Sequence, residues 1–295
     1  MIRLIKTVLR LALLLILGAG LLFSYARFLE PRFIDETKLV LTDTAIDGPL
    51  PAGFNAPLKA AVIADVHFGP YYTPKDFERV VERINAMKPD LVFFLGDLID
   101  NYSTYEGDTA PIIQLLSQIE TSGDATVTME NGVVHDKFAV YGNHDYGGGL
   151  ENKYQDIMEA SGFHVLINDT VTLDRWDITI TGIDDMVIGY GDAACAKGLP
   201  EDSYNIVLSH VPDVITELTD EPLDLMLSGH THGGQINVPV LSDHFLPPYG
   251  RIFVNGAYHF ENQRETTLYV NRGLGTSKLP LRFLASPELT EVILK

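Results

Sequence analysis

The chain has 295 residues, 46% of them hydrophobic, with a single cysteine, Cys195. That is ample material for a buried core, and it excludes an intramolecular disulfide and a thiolate zinc cluster, so any metal must be held by histidine and oxygen ligands. A formal charge of -19 argues against a general binder of nucleic acid or anionic surfaces, which tracks phosphates with a basic face, and any phosphate chemistry on so acidic a body needs bound cations.

The amino terminus stands apart. Residues 1–32 carry Arg3, Lys6, Arg10, Arg27 and Arg32 against one acid, Glu30, whereas the remainder, with 16 basic and 39 acidic residues, stands at -23. Residues 11–26 form an uncharged run in which Ser24 is the one plainly polar side chain. As a helix this run rises ~24 Å, short of the ~30 Å hydrocarbon core, but Arg10 and Arg27 can snorkel outward and the bilayer can thin. Two readings stand: a membrane anchor, or a signal peptide cleaved after the small-x-small triplet Ser24-Tyr25-Ala26. The apolar residues surround the whole helix, which disfavours a soluble core helix. The excess of basic residues before the run keeps the amino terminus cytoplasmic. The expectation is therefore a single-pass protein of the inner or cytoplasmic membrane, with an anchor over 1–32, a linker over 33–56 and an extracytoplasmic domain over 57–295.

Within that domain, short apolar runs alternate with amphipathic stretches. Residues 58–64, 91–95, 138–141, 178–180, 206–208 and 223–227 read as buried strands, and 252–255, 267–271 and 289–294 as further strands. Phe77, Val80, Val81, Ile84 and Met87 recur at helical spacing behind Thr73-Pro74, a cap followed by proline in the first turn. Similar helices are expected near 111–120, 151–161 and 213–219. No repeat interrupts the pattern, which predicts one α/β domain of layered sheets and helices.

The strand ends share a chemistry. They run into Asp65-Val66-His67, Gly96-Asp97, Gly142-Asn143-His144-Asp145, Ser209-His210 and Gly229-His230-Thr231-His232. Any one of these is an ordinary turn residue, but ligands of α/β sheets bind beyond the carboxyl ends of strands, where all of them would meet. Five of nine histidines, two aspartates and an asparagine at such ends provide nitrogen and oxygen groups enough for two divalent ions. Extended residues i and i+2 point to one side, which would aim both members of Asp65-x-His67 and His230-x-His232 at the same place.

The ordered blocks ADVH, GDLID, GNHD, SHVP and SGHTHGGQ, with NRGLGTSKLPLRF near the end, resemble the calcineurin-like metallophosphoesterase superfamily over residues 57–295. More narrowly they are similar to its bacterial membrane-associated branch of phosphodiesterases and UDP-2,3-diacylglucosamine pyrophosphatase-type enzymes. The resemblance implies a four-layer α-β-β-α sandwich of two sheets flanked by helices. It also implies two metal ions, one held by Asp65, His67, Asp97 and His232, the other by Asp97, Asn143, His210 and His230. His144 would be the acid facing the substrate, and Asp145 either its orienting partner or a turn cap. Two ions ~3.5–4 Å apart lower the pKa of a bridging water and clamp an in-line displacement at phosphorus, so a phosphoester or pyrophosphate bond of an envelope or lipid-linked substrate is the expected target. Manganese, iron, zinc and cobalt all suit this ligand set.

The alternative is a metal-stabilised binding or scaffold protein of the same fold, which has little use for a histidine that ligates nothing. A zinc amidohydrolase would want its HxH on the first strand. The loops 147–149 and 238–251 lie beside the expected site as substrate contacts or as plain connections. Arg272 and Arg282 either bind a second phosphate or pair with surface acids, and His135, His164, His244 and His259 read as structural or exposed.

Overall fold

A computed structural model of the chain describes residues 2–41, 57–128, 134–147, 151–173, 176–238, 242 and 246–295. Helix α1 (Ile2–Ser24) is followed without a break by a π turn, Tyr25–Leu29, and a 3-10 turn, Glu30–Arg32. The apolar helix thus begins well before the run at 11–26, and together these turns make a stretch long and apolar enough to cross a membrane, with its most apolar window unburied by the protein.

Two six-stranded mixed sheets follow. The first contains β1 (Asp35–Leu41), β2 (Leu58–Ile63), β3 (Leu91–Phe94), β6 (Lys137–Ala139), β7 (His164–Val165) and β14 (Glu288–Leu294) in the order β1-β14-β2-β3-β6-β7. The second contains β8 (Asp169–Leu173), β9 (Ile178–Ile183), β10 (Tyr204–Ser209), β11 (Leu225–Ser228), β12 (Gly256–His259) and β13 (Thr267–Val270) in the order β12-β13-β11-β10-β9-β8. Strands β4 (Val127–Thr128) and β5 (Val134–His135) make a separate pair. In each sheet the central strands run parallel, so their carboxyl ends open on one edge.

Alternation along the strands separates the layers. Leu58, Ala60, Val62, Leu91 and Phe93 face Ile178, Ile180, Ile206, Leu208, Leu225 and Leu227 across the gap between sheets. The residues between them, Ala61, Ile63, Val92 and Phe94, pack outward on α2 (Pro74–Met87), α3 (Ala110–Ser117) and α4 (Glu151–Ala160). Helix α2 buries Phe77, Val80, Val81 and Ile84, and starts in a capping box in which Asp76 Oδ2 accepts from Thr73 N at 2.9 Å and Thr73 Oγ1 at 2.7 Å. On the second sheet Val207, Met226 and Leu268 pack outward on 3-10 turns, Ala193–Ala196 and Pro212–Glu217, rather than on α-helices, so the segment expected as a helix at 213–219 is a tighter coil. The result is the four-layer sandwich.

Two further expectations need correction. Residues 33–56 are not all linker, because Asp35–Leu41 pairs in parallel with β14; its first half is polar and exposed, and only Leu39 and Leu41 turn inward. No strand forms at 252–255, since the Asp213 carboxylate takes the N–H groups of Arg251, Ile252 and Phe253, and the strand begins at Gly256. His244 and parts of the loops 147–149 and 238–251, including Gly148, Gly149, Pro239 and Phe245, lie outside the described residues, as do 42–56 of the expected linker.

Candidate metal centre

Asp65 and His67 follow β2, Asp97 follows β3, Asn143 and His144 follow β6, His210 follows β10, and His230 and His232 follow β11. The structure brings all of them to the open edge where both sheets end, and all but Asn143 fall in three groups whose potential ligand atoms lie within 4.8 Å of one another: Asp65, His67 and His232; His67, Asp97 and His144; Asp97, His210 and His230. They converge for a reason other than strand pleating. Asp65 (φ 49°), His67 (φ 49°), Asp97 (φ 58°), His230 (φ 72°) and His232 (φ 52°) are all left-handed. Such a backbone costs of order 1–3 kcal/mol per non-glycine residue and persists only where its surroundings over-determine it. Here the backbone is bound on both sides: Asp65 accepts from His230 N at 2.9 Å, Asp65 N donates to Gly96 O at 3.0 Å, and His67 N to Asp97 O at 3.1 Å.

The motif glycines make room for these carboxylates. A Cβ on Gly142 would overlap Asp97 Oδ1 and come within 2.8 Å of His210 Cε1, and one on Gly273 would lie 2.5 Å from Asp65 Cβ.

Tautomers are set by backbone carbonyls. His210 Nδ1 meets Leu95 O at 2.7 Å and His230 Nε2 meets Pro248 O at 2.9 Å, so in the neutral rings these nitrogens carry the protons. Their other nitrogens, His210 Nε2 and His230 Nδ1, then face each other at 3.0 Å as lone pairs, with Asp97 Oδ2 3.3 Å from His210 Nε2. A second convergence joins His67 Nε2 to His232 Nε2 at 3.1 Å, to Asp97 Oδ2 at 3.4 Å and to Asp65 Oδ1 at 3.9 Å. The lone pairs and carboxylate at the first point repel unless a positive charge sits among them, and the imidazole nitrogens and carboxylate oxygens at each point are a donor set that suits a divalent cation. Asp97 Oδ2 belongs to both. Asn143 Oδ1, buried and without a hydrogen-bond partner among the described residues, adds an unused oxygen.

The titration behaviour of the protein alone expresses the same demand for positive charge. Burial works against ionisation of Asp97, yet the neighbouring His210 and His144 hold its carboxyl well below the usual range. Burial likewise lowers the pKa of His210, but Asp97 carries it to about 10, while burial and the charge on His210 push His230 down to about 3.

His144 sits outside this tight packing, a quarter exposed and lining the cleft, with its backbone N–H donating to Asp97 Oδ1 at 2.8 Å and its Nδ1 2.5 Å from Asp100 O. Asp145 does not orient it. The Asp145 carboxylate is fully buried and accepts from Asp97 N at 2.7 Å, Gly142 N at 2.9 Å, Leu98 N at 3.0 Å and Tyr102 Oη at 3.3 Å, so it ties down the turns that carry Asp97 and Asn143. The group that orients His144 is Asp100, which also brings Oδ1 within 3.4 Å of His67 Nδ1. Its place three residues after Asp97 in GDLID was the available signal.

A cleft of about 140 Å³ opens over the cluster, lined by Asp97, Asn143, His144, His230 and His232 and rimmed by Pro247, Pro248, Gln235, Ser277, Lys278 and Leu279. Gln235 fastens that rim, donating to Ser277 O at 2.9 Å and Leu279 O at 2.8 Å. Neither arginine offered as a phosphate ligand is free. Arg272 pairs with Asp35 at 3.1 Å and Glu288 at 3.2 Å. Arg282 is wholly buried, donates to the carbonyls of Gly275, Ala285 and Arg272, and lies 3.3 Å from His232 Nδ1. His135 and His164 stack at 5.0 Å, and His259 meets Thr267 Oγ1 at 3.0 Å, away from the centre.

Comparison with known proteins places this geometry. Residues 58–234 match the family model for calcineurin-like phosphoesterases. The chain is 39% identical over 283 residues to the uncharacterized metallophosphoesterase YkuE of Bacillus subtilis, covering 95% of this chain and 92% of the relative. It is 30% identical to the phosphodiesterase YaeI of Escherichia coli, covering 91% of each. A zebrafish transmembrane protein with a metallophosphoesterase domain is 27% identical over 83% of this chain and 55% of its own length. The matched region contains every strand-end group of the cluster, and the chain belongs to the calcineurin-like phosphoesterase family.

Proposed function

We propose that the chain is a phosphoester or pyrophosphate hydrolase that works with two divalent ions sharing Asp97, acting on an envelope or lipid-linked substrate outside the cytoplasm. The observation that carries this reading is the pair of acceptor convergences with Asp97 Oδ2 common to both, 3.4 Å from His67 Nε2 and 3.3 Å from His210 Nε2. Asp65, His67, Asp97 and His232 would hold one ion, and Asp97, Asn143, His210 and His230 the other. When bound, the ions supply Lewis-acid polarisation of a phosphoryl group and a water acidic enough to attack it.

The chain's own contribution is placement and a proton. Backbone carbonyls of Leu95 and Pro248 keep His210 and His230 in the ligating tautomer, and Asp145 holds the turns that carry Asp97 and Asn143. With Nδ1 pinned by Asp100 O, His144 can present only its other ring nitrogen to the departing oxygen. Asp97 and Asp100 favour its protonated form against the effect of burial, which suits a proton donor. The apolar amino-terminal helix would hold the cleft near the bilayer, where a lipid-linked phosphate is concentrated.

The test is a metal-by-substrate matrix on purified protein, with manganese, iron, zinc and cobalt against mono- and diester nitrophenyl phosphates and a nucleotide diphosphate lipid. Hydrolysis of at least one substrate that is abolished by chelation and restored by metal supports the reading. Absence of hydrolysis across the matrix with metal bound supports the scaffold alternative.

A further inference from the structure

The membrane-length helix does not end in free chain. Ala26 O accepts from Arg282 N at 2.9 Å, Glu30 Oε1 accepts from Ala285 N at 2.7 Å, Tyr25 meets Phe283 edge to face at 6.3 Å, and Arg83 Nη1 donates to Ile34 O at 3.0 Å. These contacts fix which face of the domain lies beside the end of the helix. On that face is a cavity of about 260 Å³, separate from the metal cleft, lined by Arg27, Arg32, Arg79, Tyr71, Tyr72 and the loop 274–276.

Among the described residues, two of its buried polar atoms lack any hydrogen-bond partner. Tyr72 is 6% exposed, and its hydroxyl has no hydrogen-bond partner. Arg79 Nε is buried and also unpartnered, although Arg79 Nη1 donates to Arg32 O at 2.9 Å and so holds the two arginines together. The guanidinium of Arg27 lies 5.0 Å above the rings of Phe28 and Tyr71, which positions it without neutralising it. None of the three arginines forms an ion pair among the described residues. The one acid on the rim among the described residues, Asp76, has Oδ2 engaged by Thr73 in the helix cap. In a chain with 40 acids and 21 bases, three unpaired arginines around one cavity are not the product of ordinary surface pairing.

We propose that this cavity is a second anion site that takes the phosphate of an anionic phospholipid headgroup at the membrane surface. The guanidinium fork matches phosphate oxygens, a buried hydroxyl and Nε gain the acceptor they lack, and the end of a membrane-length apolar helix is where such headgroups lie. The proposal does not depend on hydrolysis at the metal centre.

Native mass spectrometry of the full-length chain, extracted from bilayers of phosphatidylglycerol and phosphatidylcholine, tests it. Wild-type protein should retain phosphatidylglycerol in preference to phosphatidylcholine, and each of Arg27→Ala and Arg79→Ala should weaken that retention about fivefold. Tyr72→Phe removes only the unpartnered hydroxyl, so it carries the test should the arginine variants fail to fold, and it should lower retention with an unchanged melting temperature. A parallel arm measures the part of inorganic phosphate binding that is lost in Arg79→Ala. If that part is present while no lipid is retained, the phosphate chemistry stands and its source is soluble. Equal phosphatidylglycerol retention and equal phosphate binding by wild type and folded variants would overturn the proposal.

Discussion

Replacing Arg282 by methionine tests whether a buried cation that forms no ion pair among the described residues supports the metal centre. The side chain is fully buried; Nε donates to Gly275 O at 2.9 Å, Nη1 to Ala285 O at 2.8 Å and Nη2 to Arg272 O at 2.9 Å, while burial depresses its pKa to about 10. Methionine fills much of the same volume and donates nothing. Leaving the Gly275 and Ala285 carbonyls without a donor, at about 1–3 kcal/mol each, predicts a loss of roughly 2–6 kcal/mol. For a domain of this size that is a fall of at least about 4 °C in the unfolding midpoint, read by calorimetry with and without metal. The metal-bound protein should suffer further, because the same guanidinium sits beside His232 and secures the segment that rims the cleft. A midpoint unchanged or raised in Arg282→Met would show that the desolvated charge costs more than its hydrogen bonds return, and would refute the supporting role.

His144→Gln should keep its metal content and lose roughly two to four orders of magnitude in turnover on alkyl esters, and less on nitrophenyl esters, whose leaving group needs no proton; equal losses on both would make His144 a phosphate binder instead. Gly142→Ala pushes a methyl group into Asp97 and His210 together, so metal analysis should find both ions weakened, and retention of either at wild-type affinity would contradict the close packing. Asp224 precedes β11, at the opposite end of that strand from His230, and accepts from Asn205 N at 2.7 Å; burial raises its pKa from 3.8 to about 6. Its contribution to stability is therefore fully present below about pH 3.8 and is lost as pH rises through about 6, by about 3 kcal/mol at most. Urea unfolding should accordingly show wild type losing more stability than Asp224→Asn across that window, and parallel pH profiles would refute the shift.

Much of the site was legible because its chemistry lies at the ends of apolar runs that had to be strands. Asp65, His67, Asp97, Asn143, His144, His210, His230 and His232 could be named from order alone, and the structure assembles them. The geometry behind that assembly could not be read: extended pairing was expected of Asp65-x-His67 and His230-x-His232, whereas all four residues are left-handed, a choice forced by contacts between segments far apart in the chain. Asp145 was open between orienting His144 and capping a turn, and Asp100 had no assigned role, because only tertiary structure decides which carboxylate meets backbone N–H groups and which carbonyl meets an imidazole. Edge strands such as β1 and β8 escaped because one face is wet, so their pattern, as in Asp169–Leu173, mixes threonine and aspartate with two inward apolar residues. Pairs two residues long, like β7, leave no periodic signal.

The most direct measurement is a titration of metal-stripped protein with a divalent ion, following bound ions per chain and phosphoester hydrolysis in the same samples. Sharing of Asp97 between two ions predicts that hydrolysis reaches its maximum only as the second ion binds, and that Asp97→Ala loses tight binding at both positions together with activity. Full activity at one ion per chain, or an Asp97→Ala variant that still binds two ions and turns over, would contradict it.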